Sequence, residues 1–119
     1  MKAEEIIREV DELRAGNHIS NPTKLNWLKA LEEKIGEEVL SNFEGVALSQ
    51  KLTMESELFA PERYRKMYVS HIVSELDYVN GETELYNNDV QVFNEEWKSF
   101  CAWVYRTYRH KSSARFNAL

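Results

Sequence analysis

From Tyr68 to Tyr108 large apolar side chains recur every three or four positions, and nothing else in the sequence constrains the fold as tightly. Tyr68, Ile72, Leu76 and Val79 form one stripe, widened by Tyr64, Met67, Val69 and Val73. Tyr86, Val90, Phe93, Trp97, Phe100, Val104 and Tyr108 form a second. A period near 3.6 residues puts each set on one side of a helix, whereas a strand would alternate. The phase carries almost unbroken through Gly81, so one long bent helix fits the pattern. A lone helix of about 45 residues is far above the usual length, and two antiparallel helices are expected instead. Their break falls at Asn80-Gly81, where glycine suits a C-terminal cap, or at Asn87-Asn88-Asp89, where Asn88 followed by Gln91 looks like the start of a capping box.

The first half predicts shorter helices. Ile6, Val10 and Leu13 give one face to a helix over Ala3–Arg14, with Glu4 and Glu5 suited to its first turn and Gly16-Asn17 to its end. Asn21-Pro22 reads as an N-cap followed by proline, opening a helix to about Leu40. Leu25, Leu28, Leu31, Ile35 and Val39 supply its buried stripe, while Glu32, Glu33, Glu37 and Glu38 are expected on solvated faces with Lys29 and Lys34. Glu44–Ala60 lacks helical period, which leaves a short extended segment or an ordered loop, and Pro61 opens the second half. The fold class expected is thus all-α: a small bundle of two shorter N-terminal helices and a long C-terminal antiparallel hairpin.

A length of 119 residues suits one domain, placed at 1–109, and 43% hydrophobic with 29% charged residues is a globular balance rather than a disordered one. The remaining residues, 110–119, have no period and are expected to be a flexible basic tail. Charge divides sharply between the two parts. Arg106, Arg109, Lys111 and Arg115 face no acidic residue from Arg106 onward, so the rest holds eleven basic against twenty acidic residues, a net −9. Such a body does not suit phosphate neutralisation. The single cysteine, Cys101, excludes an intrachain disulfide and sits among apolar neighbours that predict a buried thiol. The N-terminus alternates Glu, Ile and Arg unlike a secretory leader, and no apolar run approaches the roughly 20 residues of a membrane span. A cytoplasmic setting is expected.

The patterns that carry catalysis are missing. Cys101 has no histidine at helical spacing, and there is no GxGxxG, Walker-type loop or HExxH. His71 and Glu75, four apart, predict a structural pair rather than a metal site, because a helical di-metal centre needs ligands on further helices. Glu75 and Asp77 point to different faces and cannot flank one substrate. No enzyme, metal or cofactor is expected. The aromatic residues exceed what a two-helix seam consumes: Tyr78, Tyr86, Trp103, Tyr105 and Tyr108 lie on varied faces and are candidate interface residues. Asn80, Asn87, Asn88 and Asn94, poor helix formers, suit the turn or bonds to a partner.

An ordered set of segments carries a resemblance. Leu58-Phe59-Ala60-Pro61-Glu62-Arg63-Tyr64, Met67-Tyr68, and Glu75-Leu76-Asp77-Tyr78-Val79-Asn80-Gly81-Glu82 are followed by Tyr86-Asn87-Asn88, Phe93-Asn94-Glu95-Glu96-Trp97 and the aromatic-rich Phe100–Tyr108. With Leu25, Trp27-Leu28 and Glu37-Glu38-Val39, this order resembles the head–tail connector, or adaptor, proteins of phages and prophages of Gram-positive bacteria. It spans most of the chain, with Glu44–Thr53 and the tail matching least. The resemblance implies a structural subunit of the virion's head–tail junction, assembled in the host cytoplasm. The subunit would join a homo-oligomeric ring of about twelve copies beneath the portal protein, with the isolated chain free to be monomeric. A head-completion or tail protein would lie beyond the ring. DNA would only pass through it, and the acidic body suits a lumen to which DNA does not stick. Tyr78, Tyr86, Trp103, Tyr105, Tyr108, Arg106, Arg109, Lys111 and Arg115 are the candidate contacts with neighbouring subunits or the portal, the basic tail reaching an acidic groove. The alternative is a small helical regulator that binds nucleic acid through that tail.

Overall fold

The computed structural model describes residues 1–44 and 51–108. Among them are four α-helices, α1 (Ala3–Leu13), α2 (Asn21–Lys34), α3 (Arg65–Val79) and α4 (Thr83–Thr107), and no strand. The extended segment considered near 44–60 falls partly outside the described residues. Over 51–60 the chain makes one isolated antiparallel bridge, Glu57 with Lys2. The expected tail, 110–119, lies outside the described residues altogether.

Helix α1 buries Ala3, Ile6, Ile7 and Val10, but leaves Leu13 more than half exposed, although its spacing predicted burial. Its first turn is closed both from within, by Glu5, and by a neighbouring loop. The Ala3 and Glu4 amides donate to the Ser56 and Met54 carbonyls at 3.0 and 2.9 Å, and the Glu5 carboxylate accepts from the Lys2 amide at 2.6 Å. Helix start and loop 53–58 thus satisfy each other's backbone groups. Gly16, at φ +81°, ends the helical region, and Asn17 organises the loop by donating to Asp11 and to the Arg14 carbonyl.

The cap of α2 is Ser20, one residue before the expected Asn21, its hydroxyl accepting from the Thr23 amide at 3.3 Å. Pro22 lies in the first turn, where its missing N–H leaves no gap. The α-helical part ends at Lys34, short of the expected Leu40. A π turn over Ile35–Val39 and a 3-10 turn over Leu40–Asn42 follow, and this change of winding lets Ile35, Val39, Leu40 and Phe43 all enter the core.

Helix α3 is the axis of the fold. It packs against α1, α2 and α4, and is buried on most of its circumference: Met67, Tyr68, Val69, Ile72, Val73 and Leu76, with Ser70, Ser74 and Asp77. Helix α4 returns beside it with opposite polarity, since ring centroids pair Tyr78 with Tyr86 at 5.5 Å, His71 with Phe93 at 5.7 Å and Tyr64 with Phe100 at 5.5 Å. The break is at Asn80-Gly81, and Asn87-Asn88-Asp89 lies inside α4. The Glu82 amide donates to the Asp77 carbonyl at 2.9 Å and the Gly81 amide to the Tyr78 carbonyl at 3.1 Å, the paired bonds of a Schellman cap. Gly81 stands at φ +72°, and a Cβ there would meet no atom within 4 Å. Gly81→Ala should therefore cost about 1–2 kcal/mol, purely for the left-handed backbone. The expected readout is a lower urea midpoint at unchanged m-value, with a smaller loss for Gly81→Asn.

Candidate functional site

The α3–α4 turn leaves apolar surface in water. Tyr78 is 70% exposed, Val79 58% and Leu85 41%, and Tyr86 is half-buried against Tyr78. Between the two tyrosines and the turn residues Gly81, Glu82 and Thr83 lies an open cavity of about 350 Å³ whose floor includes Asp77. Gly81 and Asn80 place it there: the Schellman cap reverses the chain in three residues, and so brings the end of α3 against the start of α4.

Behind the cavity an ionic node joins three helices. Arg14, at the end of α1, donates Nε to Asp77 Oδ1 at 2.9 Å and Nη2 to Asp77 Oδ2 at 2.8 Å, a two-pronged bond to a carboxylate only 1% exposed. Asp89 of α4 approaches the same Nη2 at 3.8 Å. Burial raises the Asp77 carboxyl, but the Arg14 and Asp89 bonds outweigh it and hold Asp77 below the ordinary carboxylate range. Burial and the adjacent Asp77 charge push Asp89 up to about 7, against the pull of Arg14. Asp89 Oδ2 is buried without a hydrogen-bond partner, an environment that favours the protonated carboxyl. The two carboxyls thus stand beside one guanidinium with their acidities driven apart, Asp77 held down and Asp89 pushed up. Glu75, weighed against Asp77 as a pair from sequence, is not part of this node.

A second buried polar group was expected to be solvated. Glu32 is only 9% exposed: Oε1 accepts from the Tyr68 hydroxyl at 2.6 Å and Oε2 from the Phe59 amide at 3.0 Å. The Tyr68 hydroxyl accepts in turn from the Ala60 amide at 3.0 Å. Loop residues 59 and 60 cross α2 and α3 with their N–H groups inward, and Glu32 and Tyr68 supply the acceptors that water would otherwise give. Burial raises the Glu32 carboxyl despite these bonds, and burial beside Glu32 raises the Tyr68 hydroxyl far out of its titration range. Lys24, 2% exposed, is neutralised by Asp11 at 2.6 Å. Glu33, Glu37 and Glu38 are exposed as expected.

His71 bonds through Nε2 to the Trp27 carbonyl at 2.9 Å, rather than to Glu75, so that nitrogen carries the proton; burial lowers its pKa and keeps the ring neutral. Cys101 is half-buried, less covered than expected, and its partial burial pushes the thiol up, away from the thiolate a nucleophile needs. Among the described residues no three His, Cys, Asp or Glu side chains are grouped to hold a metal, and no helix is long and apolar enough to cross a membrane.

The candidate interface residues separate to two ends of α4, about 37 Å apart for 25 residues. Tyr78 and Tyr86 flank the turn. At the other end Trp103 packs against Tyr64, Phe100, Tyr108 and Phe59, with the Arg63 guanidinium 5.4 Å from its ring, so Trp103 and Tyr108 belong in part to the core. Tyr105 is 67% exposed while its ring edge meets Phe43 at 5.7 Å, and Arg106 is exposed. Arg109, Lys111 and Arg115 lie outside the described residues. Of the four asparagines, Asn80 caps α3, while Asn87, Asn88 and Asn94 are exposed on α4. The sequence did hold a signal for the node: Asp77 follows Val73 by four and Ser70 by seven, a carboxylate in phase with the buried stripe.

No protein-family model, curated protein or solved structure matches the chain.

The node gives stability a definite pH dependence. Between the ordinary aspartate value of 3.8 and about 7 the folded pair holds a proton that the unfolded chain has lost, so stability falls as pH rises through that window. Below it, protonation of the depressed Asp77 erodes stability from the other side. Asp89→Asn supplies the donor to Asp77 at every pH. It should stabilise the fold by about 1–3 kcal/mol near neutral pH and above, and flatten the fall between roughly pH 4 and pH 7 in thermal melts. Tyr68→Phe leaves Glu32 Oε1 and the Ala60 amide each without a buried partner, and should cost about 1–3 kcal/mol by chemical denaturation.

Proposed function

We propose that the chain is a structural, non-catalytic subunit of a phage or prophage head–tail connector, forming a ring below the portal that bridges capsid and tail and lets DNA pass. The observation that carries this reading is the uneven burial of α4. Of its 25 residues only Phe100 and Val104 are buried, although Leu85, Val90, Val92, Phe93, Trp97, Trp103 and Tyr105 all lie along it. A long helix with so much apolar surface left partly wet has more contact area than its own domain uses, and side-by-side packing with neighbours uses the remainder. The antiparallel α3–α4 hairpin is the unit repeated around the ring. The net −9 of the body supports a lumen repellent to DNA.

Purified chain mixed with a phage portal protein should appear in native mass spectrometry as a portal-bound ring of about twelve copies. A chain that stays free of the portal at micromolar concentrations sinks the proposal. Salt-dependent DNA binding that disappears when Arg106–Leu119 is removed would favour the regulator instead.

A further inference from the structure

We infer that the cavity at the α3–α4 turn is a socket for an arginine or lysine side chain from the 106–119 segment of a second copy of this chain. The walls suit a cation. The Tyr78 and Tyr86 rings, 5.5 Å apart and tilted by 55°, offer π-faces to a guanidinium or ammonium group. The exposed Glu82 lines the rim and Asp77 the floor, while Arg14 is the one positive group of the node behind them. A cation entering there meets the exposed Glu82 carboxylate at the rim, while the Asp77 carboxylate behind is already taken by Arg14. The complementary charge is in the same sequence: Arg106, Arg109, Lys111 and Arg115 stand in a segment without any acidic residue.

Geometry assigns that segment to another copy. Tyr86 and Tyr108 are 22 positions apart on α4, about 33 Å of helix. Lys111 is three residues past Tyr108 and Arg115 seven, at most about 11 and 25 Å of extended chain. Arg106, Arg109 and Lys111 fall short of their own socket, and Arg115 reaches its rim only with the segment drawn taut back along the helix. In a neighbour's socket the same residues are unstrained. The contact is then head-to-tail, using different surfaces on the two partners, and a head-to-tail contact generates a closed ring or a filament rather than a two-fold dimer. This inference rests on the ring reading above and names the surfaces that would close it, leaving the portal contact to other parts of the subunit.

A fluorescently labelled peptide of residues 106–119, titrated into the full chain and followed by anisotropy, tests the socket directly. Saturable, salt-weakened binding is expected, reduced about tenfold or more by Glu82→Lys and by Tyr86→Leu. Glu37→Lys, an exposed change away from the turn, should leave binding as it was. A peptide carrying R109E, K111E and R115E should lose binding to the natural chain and regain it on the Glu82→Lys variant. Circular dichroism of each variant shows whether it is folded, and Glu82→Gln serves if the lysine variant is not. Absent binding at low salt, binding indifferent to the turn substitutions, or failure of the charge exchange each overturns the inference. The assay contains no portal, so a portal-bound ring without peptide binding removes the socket alone. Peptide binding without a ring removes the connector reading alone.

Discussion

Asp77 holds the molecule together through two different groups. Its carboxylate, 1% exposed, receives both prongs of Arg14 and so ties the end of α1 to α3. Its backbone carbonyl accepts the Glu82 amide, the bond that closes the α3 cap and sends the chain back as α4. The carboxylate also faces Asp89 of α4, whose carboxyl is pushed up beside it. A buried carboxylate is costly unless it is paired and hydrogen-bonded, and this one is satisfied only when three helices arrive together. The ion pair fixes the end of α1 on α3, while the backbone cap at Gly81 sets the turn and the cavity between Tyr78 and Tyr86.

The opposite end solves a different problem with the same economy. Residues 51–61 form no regular element, and a loop without a ladder must place its backbone groups elsewhere. Its carbonyls at Met54 and Ser56 take the first amides of α1, and its amides at Phe59 and Ala60 find Glu32 and Tyr68. The loop thus caps the start of α1 and is itself held by side chains of α2 and α3. Beyond it the aromatic cluster of Phe59, Tyr64, Phe100, Trp103 and Tyr108 fastens the end of α4. Helix α4 is gripped at both ends and lightly covered along its length, the condition under which a helix can pack against a neighbour without loss to its own domain.

That distribution bears on assembly. Polar closure inside the fold leaves Tyr78, Val79 and Leu85 at the turn, and Tyr105 on α4, as exposed apolar surface. Net charge decides which partners approach. The acidic body repels itself and nucleic acid alike, while the basic residues from Arg106 onward attract an acidic surface.

By itself the sequence determined the helical character, where α1 and α2 begin, and most of the apolar core, but not the end of α2 at Lys34 or which of two places separates α3 from α4. Each feature so determined is set by neighbours within a few positions: the three-and-four spacing of Tyr68, Ile72 and Leu76, the left-handed tolerance of Gly16 and Gly81, the proline after a polar cap. Only the tertiary structure decided which charged residues go inside. Glu32, like Asp77, lies in phase with a buried stripe, four after Leu28, but Arg14 and Asp77 are 63 positions apart and Glu32 and Tyr68 are 36 apart, so no local pattern names their partners or joins Asp77 to Asp89 instead of Glu75. A carboxylate is indifferent to burial until its donor arrives, and the donor's arrival is a property of the folded chain.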